Sequence, residues 1–555
     1  MFSTLTKTVK GAWNRMFGSK TIENTLKITP CISNKMENAI ALWDQMYRNE
    51  APWLKEPNKE DPERVTSLGL PAMIASEKAR TALIEFKSEI TTPTEEIEVD
   101  NPNYTEPESD EFGNIIPSTE PKTITEDRPI GDTSRAEFLN KQYEKLKKKL
   151  RTQVEYGIAK GGLVIKPYVV KNKNTVVDEN GVETEEDVFS IEFDFIQANC
   201  FYPLAFDASG NITEAAFLQS KVNKEEIFYR LEVHEWKNNS VTITNKAYKN
   251  NNLDGRPMDV TQTNLGKEIN LSEVPEWKDL QSKVTLKNVT KPLFAYFKMP
   301  EANTIDVDSP LGVSGFARAV SLIKDADNQY SSLLWEYEAG EMAVDIDRDA
   351  LNFVSDADGG HSELSRKQQR LYRTVDLGES DTYNPYAPAL RDTSYTNGLN
   401  EILMRIEDVV SLSRGTLSNV ISEARTATEL KILKQRSYQA NANIQQAIQD
   451  CLDDVIYAMD VYCTLYEITV PGEYDVSYEW DDSIITDVNE ELGHRITLQD
   501  NQLASRLENR MWYFGETERQ AQEALQRIDG ENMANMENDL AMQANQLNMN
   551  NRFGG

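Results

Sequence analysis

Three long stretches of helical periodicity in the second half of the chain constrain the fold most strongly. In the first stretch apolar residues recur three or four positions apart, at Ala319, Leu322, Ile323, Ala326, Tyr330, Leu333 and Tyr337. The pattern predicts a helix of about 27 residues after Pro310, roughly 40 Å long at 1.5 Å per residue. Residues 394–411 have the same character, with an apolar stripe at Leu399, Ile402, Leu403, Ile406, Val409 and Val410.

The segment between these two helices is an insertion with its own local structure. Residues 342–390 contain the strand-like pieces MAVDID and RLYRTVDL, a Gly-Gly turn and two prolines. Two helices that flank a compact insertion predict an antiparallel hairpin whose far end projects from the body. This prediction requires Leu322 and Ile406 to belong to the same body.

A breaker segment, SRGTLSNVISEARTATEL, separates the second helix from the third. Gly415 and Asn419 occupy breaker positions, whereas Thr426 and Glu429 form a capping box. The box predicts that a new helix begins at Ala427, and apolar residues then continue at helical spacing to Ile468, a span of about 40 residues.

The rest of the chain alternates between helical and strand-rich segments, which predicts an α+β fold. Helices are predicted over 32–48, from Pro71 and from Ser134, with strands from Gly161 to about residue 300. A further strand (474–480) and two helices after Asp487 follow, the second helix capped by Thr517 with Gln520. The tail from Asn532 is rich in Asn, Met and Gln and has low complexity.

Two segments stand apart in composition. Residues 95–127 contain eleven acidic residues, one basic residue and four prolines, which is typical of a solvated loop or a strand-bearing insertion. The first 20 residues form a basic amphipathic stretch, with Phe2, Leu5, Val9, Trp13, Met16 and Phe17 at helical spacing between Lys7, Lys10, Arg15 and Lys20. This stretch suits docking on its own protein or a neighbour, and less well a membrane surface.

Charge and composition limit the classes of function. The chain carries 91 acidic and 59 basic side chains, a net charge of −32, which disfavours tight binding of nucleic acid through phosphate neutralisation. The sequence contains no apolar run of transmembrane length and no signal-peptide pattern, so we expect a protein that is not stably inserted in a membrane. Four scattered cysteines indicate reduced core or surface residues rather than a disulfide scaffold or metal site.

The sequence offers no recognisable catalytic site. The three histidines, His234, His361 and His494, lie far apart, and the sequence has no HExxH, CxxC, Walker A, GxSxG or kinase signature. We therefore expect no enzyme activity, no metal and no cofactor, and a role in structure or interaction.

The order of these segments resembles the portal proteins of tailed double-stranded-DNA bacteriophages. The resemblance covers most of the chain and rests on these segments in sequence: ALWDQMYRNEAPW, SLGLPAMIASEKARTALIEFKSEI, VEYGIAKGGLVIKPYVV, DVDSPLGVSGFARAVSLIKDADNQYSSLLWEYE, YNPYAPALRDTSYTNGLNEILMRIEDVVSLSRGTLS, RTATELK and DDSIITD. The acidic insertion (95–127) and the Asn/Met-rich tail depart from the family pattern.

The resemblance implies a ring, usually of twelve subunits, at one vertex of the capsid in the virion, assembled in the host cytoplasm. Double-stranded DNA would pass through its channel during packaging and ejection, without sequence specificity. The implied partners are the terminase motor, the major capsid protein and scaffold, and a head-completion adaptor. Another capsid or tail structural component is the alternative, and a DNA-processing enzyme such as a packaging ATPase is disfavoured by the missing Walker A motif.

The resemblance also assigns regions to an elongated portal-like subunit. These are a β-rich wing (1–304 with strand 474–480), stem helix 1 (305–341), an α/β clip (342–390), stem helix 2 (391–412), a tunnel loop (413–425), a long helix returning to the wing (426–485), and a helical crown and tail (486–555). It implies DNA-facing residues Ser418, Asn419, Ser422 and Arg425, partner-docking residues Arg348, Lys367 and Arg370, and stem packing by Leu322, Tyr330, Leu333, Ile402 and Ile406. Sequence alone leaves open whether the stem residues pack within one subunit or between two.

Overall fold

The structure is a computed structural model of the 555-residue chain. It describes residues 30–55, 64–84, 86–101, 104, 108–109, 115–116, 123–177, 183–223, 226–250, 265–278, 280–347, 372–375, 383–419, 427–480 and 488–530. The chain divides into two compact units, Met1–Trp480 and Asp481–Gly555. The described residues combine helices and sheets, which confirms the predicted α+β class.

The helices of the first unit follow the predicted periodicity closely. They are α1 (Asn34–Tyr47), α2 (Leu70–Ala82), α3 (Ser134–Lys160), α4 (Val320–Ala339), α5 (Asp392–Val410) and α6 (Ala427–Leu465). The third long helix begins at Ala427, as predicted from the capping pattern before it. Pro71 lies in the first turn of α2, where its missing N–H costs no hydrogen bond.

The described strands all lie in the first unit. They are β1 (Lys87–Thr91), β2 (Thr94–Asp100), β3 (Glu108–Ser109), β4 (Ile115–Ile116), β5 (Thr123–Pro129), β6 (Gly162–Val177), β7 (Glu183–Gln197), β8 (Phe201–Phe206), β9 (Ile212–Asn223), β10 (Glu226–Lys237), β11 (Ser240–Asn250), β12 (Lys267–Ile269), β13 (Lys283–Lys287), β14 (Ala295–Lys298), β15 (Ala343–Asp347), β16 (Tyr372–Val375), β17 (Tyr383–Tyr386) and β18 (Asp475–Glu479).

The main core joins the N-terminal helices to the long helices. Met36, Ile40 and Trp43 of α1 are buried in the same cluster as Ile406 of α5 and Ile456 of α6. This continuity explains why the chain from Asn34 to β18 forms a single compact unit.

The largest sheet is antiparallel and runs in the order β12-β11-β10-β9-β8, with β13 also paired to β11. A two-residue turn joins β10 to β11, and both of its residues, Asn238 and Asn239, have positive φ angles of 51° and 54°. Asparagine tolerates this left-handed conformation, and two such residues match the twist of a tight hairpin. A smaller sheet, β14-β6-β7, packs within the main core.

A buried ionic cluster lies where β6 meets β10. The carboxylate of Glu232 accepts from Lys166 Nζ at 2.5 Å, His234 Nε2 at 2.7 Å and Arg230 Nη2 at 3.0 Å. Burial alone would raise the pKa of Glu232, but Lys166, His234 and Arg230 together hold it well below its usual range. An ionised Glu232 only accepts, so His234 Nε2 carries its proton, while His234 Nδ1 has no hydrogen-bond partner.

The acidic insertion contains strands. Of the two alternatives that the sequence left open, a solvated loop or a strand-bearing insertion, the structure has the second. β2 pairs with β5 from Thr94↔Pro129 to Asp100↔Thr123, and β3 pairs with β4. Opposed like charges, such as Glu96 beside Asp127, face each other in the β2–β5 register. These side chains gain nothing from mutual contact and face water instead.

Helix α4 is shorter than the predicted 27 residues, because its expected beginning forms a buried loop. The helix has 20 residues, preceded by a short 3₁₀ turn at Ala317–Ala319. Before that turn, Gly315 N donates to Ile158 O at the end of α3. A Cβ on Gly312 would lie 2.1 Å from Gly161 O, so two backbones touch here and only glycine fits.

The chain returns to its N-terminal half after α6. Strand β18 pairs antiparallel with β1 over five residues, from Lys87↔Glu479 to Thr91↔Asp475. Phe86 stacks on Trp480 at a centroid distance of 4.5 Å beside this pairing. A strand predicted over 474–480 is thus confirmed, with its partner identified 388 positions earlier.

The second unit contains three described helices where the sequence predicted two. They are α7 (Val488–Asp500), α8 (Arg506–Phe514) and α9 (518–530). The prediction missed the break before α8, where Ser505 and Glu508 form a capping box with both hydrogen bonds present. The predicted cap of the last helix is confirmed, since Thr517 N donates to Gln520 Oε1 at 3.0 Å.

Candidate functional site

Helices α4 and α5, which flank the insertion at residues 342–390, form the antiparallel hairpin that the sequence predicts. At the end of the hairpin where the intervening segment joins the two helices, Arg391 donates from Nη2 and Nε to the two oxygens of Glu336, at 2.7 and 3.1 Å. Its backbone N also donates to Glu336 Oε1 at 3.0 Å. These bonds from Arg391 lower the pKa of Glu336 below its ordinary value. The pair therefore fixes the two helices together where residues 342–390 leave them.

The hairpin is anchored to the body through a buried aspartate on α4. Asp327 accepts from Trp53 Nε1 and from the backbone N of Leu68, each at 2.9 Å. Burial raises the pKa of Asp327 above its ordinary value despite these bonds. The chain segments on either side of residues 56–63 thus hold α4 at Asp327.

The predicted packing residues of the hairpin differ in their burial. Ile406 is fully buried and Leu333 is buried, whereas Leu322 and Ile402 are partly buried against the main core. Tyr330 is only partly buried. Leu322 and Ile406 contribute to one core cluster, so the prediction that they share one body is confirmed. Packing between copies of the chain remains a prediction.

Several large apolar side chains are exposed at the end of the hairpin next to the intervening segment. Trp335 is 61% exposed and Met342 is 63% exposed, and Tyr337 and Leu390, which lies beside Gly340, are also exposed. Exposed large apolar side chains of this kind are typical of protein interaction surfaces.

The segment between the two helices has a small three-stranded sheet among its described residues. β15 pairs with β16 in parallel and with β17 antiparallel, in the order β16-β15-β17. The predicted strand-like pieces MAVDID and RLYRTVDL are thus found as β15 and β16. The predicted docking residues Arg348, Lys367 and Arg370 lie outside the described residues.

At the other end of the hairpin, one buried carboxylate holds the beginning of the following loop. Glu407 Oε1 accepts from the backbone N of Leu417 at 2.5 Å and of Ser418 at 2.9 Å. Glu407 Oε2 accepts from Ser418 Oγ at 2.7 Å and from Gly415 N at 3.3 Å. The side chain of Glu407 is completely buried, so these donors replace its water.

Two further side chains of α5 hold the same loop. Asn400 accepts from the backbone N of Asn419 at 2.7 Å and donates to its carbonyl at 3.1 Å. Asp408 accepts two bonds from Arg414, which lower the pKa of this aspartate below its ordinary value. Residues 413–419 therefore have a position determined by α5.

The predicted DNA-facing residues lie in different environments in this loop. Ser418 is buried and its hydroxyl donates to Glu407, so this side chain helps to hold the loop, and its contact with a duplex stays a prediction. Asn419 is exposed, whereas Ser422 and Arg425 lie outside the described residues.

Sequence reasoning missed Glu407 and Asn400, although a signal was present. The two residues are seven positions apart, so they lie on the same face of α5, beside the apolar stripe. A polar pair next to a buried stripe, just before a breaker segment, is typical of side chains that bond the backbone of the following loop.

Two cations beside the loop are paired with carboxylates of α5. Arg414 is bonded to Asp408 at 2.8 Å, and Arg405 lies 3.4 Å from Glu401 on the same helix. Each of these pairs is electrically neutral, and Arg436 is a further cation near Asp408. Such a surface suits weak contact with phosphate rather than tight binding.

The described residues also bear on metal, membrane and thiol chemistry. Within that part of the chain, no three His, Cys, Asp or Glu side chains come together to hold a metal ion. No helix among them is long and apolar enough to span a bilayer. Cys31, Cys200, Cys451 and Cys463 are all free thiols.

Comparison with known protein families identifies the class of this chain as a phage portal protein. The family model described as "Phage portal protein, SPP1 Gp6-like" matches residues 130–538, well over half of the chain. The chain therefore belongs to the SPP1 Gp6-like family of phage portal proteins, as the sequence resemblance predicted. No curated protein matches it.

Family membership supports several of the broader predictions about assembly and location. It implies an oligomeric, capsid-associated protein at the capsid vertex of the virion, in the position of a head-to-tail connector. The family is structural and is not a known enzyme family.

Proposed function

We propose that this protein forms a ring-shaped channel, with twelve subunits, through which double-stranded DNA is packaged and later ejected. Membership of the portal family is the observation that carries this proposal. The helix pair α4–α5 would form the stem around the channel, residues 342–390 the clip, and the second unit the crown. The β-rich part of the first unit would form the wing.

The partners follow from the same proposal. The clip would dock the terminase motor during packaging and the head-completion adaptor afterwards, and the wing and crown would meet the major capsid protein and scaffold. Assembly would take place in the host cytoplasm. The exposed apolar side chains of Trp335, Tyr337, Met342 and Leu390 support a protein contact at the base of the clip.

The proposed DNA path depends on the loop after α5. A duplex must slide through the channel, and every strong phosphate contact would hold it back. The paired cations and the exposed amide of Asn419 suit this requirement, because they offer weak, non-specific contacts. We therefore place Asn419, rather than Ser418, beside the DNA, and Ser422 and Arg425 remain proposed neighbours.

Replacing Asn419 with glutamate tests this path. The backbone bonds of Asn419 to Asn400 remain possible, so Asn419→Glu is expected to assemble into rings like the unmodified protein. A ring of added negative charges would oppose the duplex, and DNA packaged per head is expected to fall severalfold. Thr94→Glu, an exposed position on β2, is the matched control and is expected to package normally.

Negative-stain images and packaging assays separate the outcomes. Annuli with a central hole, together with reduced packaging only in Asn419→Glu, support the proposal. Normal packaging by Asn419→Glu would remove this residue from the DNA path. Particles without a central hole, even when the protein is bound to capsids, would favour another capsid or tail component.

A further inference from the structure

A cavity of about 700 Å³ lies in the first unit, away from the hairpin and its loop. It is enclosed by the turn between β8 and β9, strand β14 and the middle of α6. Its apolar surface is aromatic and proline-rich: Trp236, Pro292, Phe294, Tyr296, Pro300 and Pro310. Concave sites with such linings accept large apolar side chains.

The charged side chains that line the cavity are three aspartates and two lysines, a net charge of −1. Asp207, Asp450 and Asp454 line it with two lysines. Lys291 is paired with Asp454 at 2.7 Å. The other lysine, Lys298, lies on β14 at the cavity wall. The rim therefore offers carboxylates to a basic partner beside the apolar wall.

The beginning of the described chain lies next to this cavity. Cys31 N donates to Pro203 O at 2.8 Å, and Cys31 Sγ donates to Leu204 O at 2.9 Å. Two residues of extended chain, Ala205 and Phe206, separate Leu204 from Asp207 on the cavity wall, a distance of roughly 10 Å. Whatever precedes Pro30 therefore leaves the fold within easy reach of the cavity.

The first 29 residues have the chemistry that this cavity fits. They carry a net charge of +4, whereas the remaining residues carry −36. Their apolar stripe includes Phe2, Trp13, Met16 and Phe17, with basic residues between. A helix of 20 residues is about 30 Å long, and nine linking residues span up to about 30 Å, so the segment can reach the cavity from Pro30.

We propose that residues 1–20 dock in this cavity of their own chain as an amphipathic helix. The aromatic side chains enter the cavity between β14 and α6, while Lys7, Lys10 and Arg15 face the acidic rim. A strongly acidic body opposes approach of the whole protein to an anionic lipid surface, which favours the protein site over a membrane. The docked segment would connect the β8–β9 turn to α6 without any part in the channel.

Hydrogen exchange of the full chain tests the proposal through a matched pair of substitutions. Trp13→Glu places a charge on the apolar stripe, whereas Asn14→Glu places the same charge on the adjacent polar position. Amides of residues 207–213 and of Thr290 and Lys291 are expected to exchange about tenfold faster in Trp13→Glu, because an anchoring aromatic side chain no longer covers the cavity. In Asn14→Glu their exchange is expected to match the unmodified protein.

Two further measurements identify the occupant. The difference in exchange between Trp13→Glu and the unmodified protein is expected to be independent of protein concentration. Asp450→Lys is expected to raise the exchange of the same amides by part of that difference. A difference that disappears on dilution would assign the cavity to the segment of a second copy. Equal exchange in all variants, or sedimentation with phosphatidylserine vesicles that Trp13→Glu abolishes, would overturn the proposal.

Discussion

Glu407 shows how one side chain determines the position of a loop. A buried carboxylate accepts four bonds from residues 415–418, three of them from backbone N–H groups. A buried acceptor that loses its donors has no water to replace them, so breaking these bonds is costly. The loop is therefore held at its beginning by the helix that precedes it.

Glu407→Gln is expected to loosen this loop. The amide NH₂ would face backbone donors in place of an acceptor, so the free energy of unfolding of the first unit should fall by about 2 kcal/mol. Exchange of the Leu417 and Ser418 amides should rise at the same time. Glu401→Gln, an exposed position on the same helix, is the control, and equal stability of the two variants would contradict the role of Glu407.

The buried cluster around His234 makes stability depend on pH. Burial lowers the pKa of His234 below its ordinary value of 6.5, although Glu232 opposes this shift and Lys166 and Arg230 reinforce it. The unfolded chain therefore binds a proton on this histidine at a higher pH than the folded chain. The stabilisation is complete above about pH 6.5 and is lost progressively as the pH falls below that value.

His234→Gln is expected to reduce this pH dependence, because its amide can still donate to Glu232 but does not titrate. Urea unfolding at pH 7.5 and 5.5 measures the effect, with the unmodified protein losing more stability on acidification than the variant. Glu232, whose pKa is also lowered, adds a loss at still lower pH in both proteins. The same loss in both proteins between pH 7.5 and 5.5 would contradict the assignment.

Among the elements, α3 and α6 are joined by a buried arginine. Arg135 is 1% exposed and donates to Asp460 Oδ1 at 2.7 Å, to Thr464 Oγ1 at 3.0 Å and to the carbonyl of Thr469 at 3.1 Å. It thus connects the first turn of α3 to the last turns of α6 and the chain beyond them.

Arg135→Met is expected to destabilise this junction by about 3 kcal/mol, since it keeps the apolar stem and leaves several acceptors without a donor. Arg135→Lys should recover only part of the loss, because one ammonium cannot bond acceptors in several directions. Chemical denaturation followed by circular dichroism measures both variants. Equal stability of Arg135→Met and the unmodified protein would contradict the role of this arginine.

The helices that sequence predicted best are those with a strong local signal. Ala427 begins α6 as the Thr-x-x-Glu pattern predicts, and Pro71 lies in the first turn of α2. The start of α4 was missed because Gly312 and Gly315 are held by contacts with α3, which lie about 150 positions away and are invisible to local periodicity. The break before α8 was overlooked although Ser505 and Glu508 signal it locally.

At the scale of the whole molecule, sequence predicted the α+β class and the portal family, since both depend on the order of segments. It did not predict that Ser418 is buried, because the partner of this side chain, Glu407, lies on another element. A polar residue in a breaker segment is exposed by default, and only a carboxylate buried beneath it changes that outcome.

The pairing of β18 with β1 has a consequence for the newly made protein. At roughly 5–20 residues per second, a ribosome needs on the order of 20–80 s to add the residues between these two strands. Throughout that time the nascent chain carries β1 with the edge that β18 will cover still open, and open edges invite aggregation. We therefore expect the final closure of the first unit to come late in translation and to benefit from host chaperones.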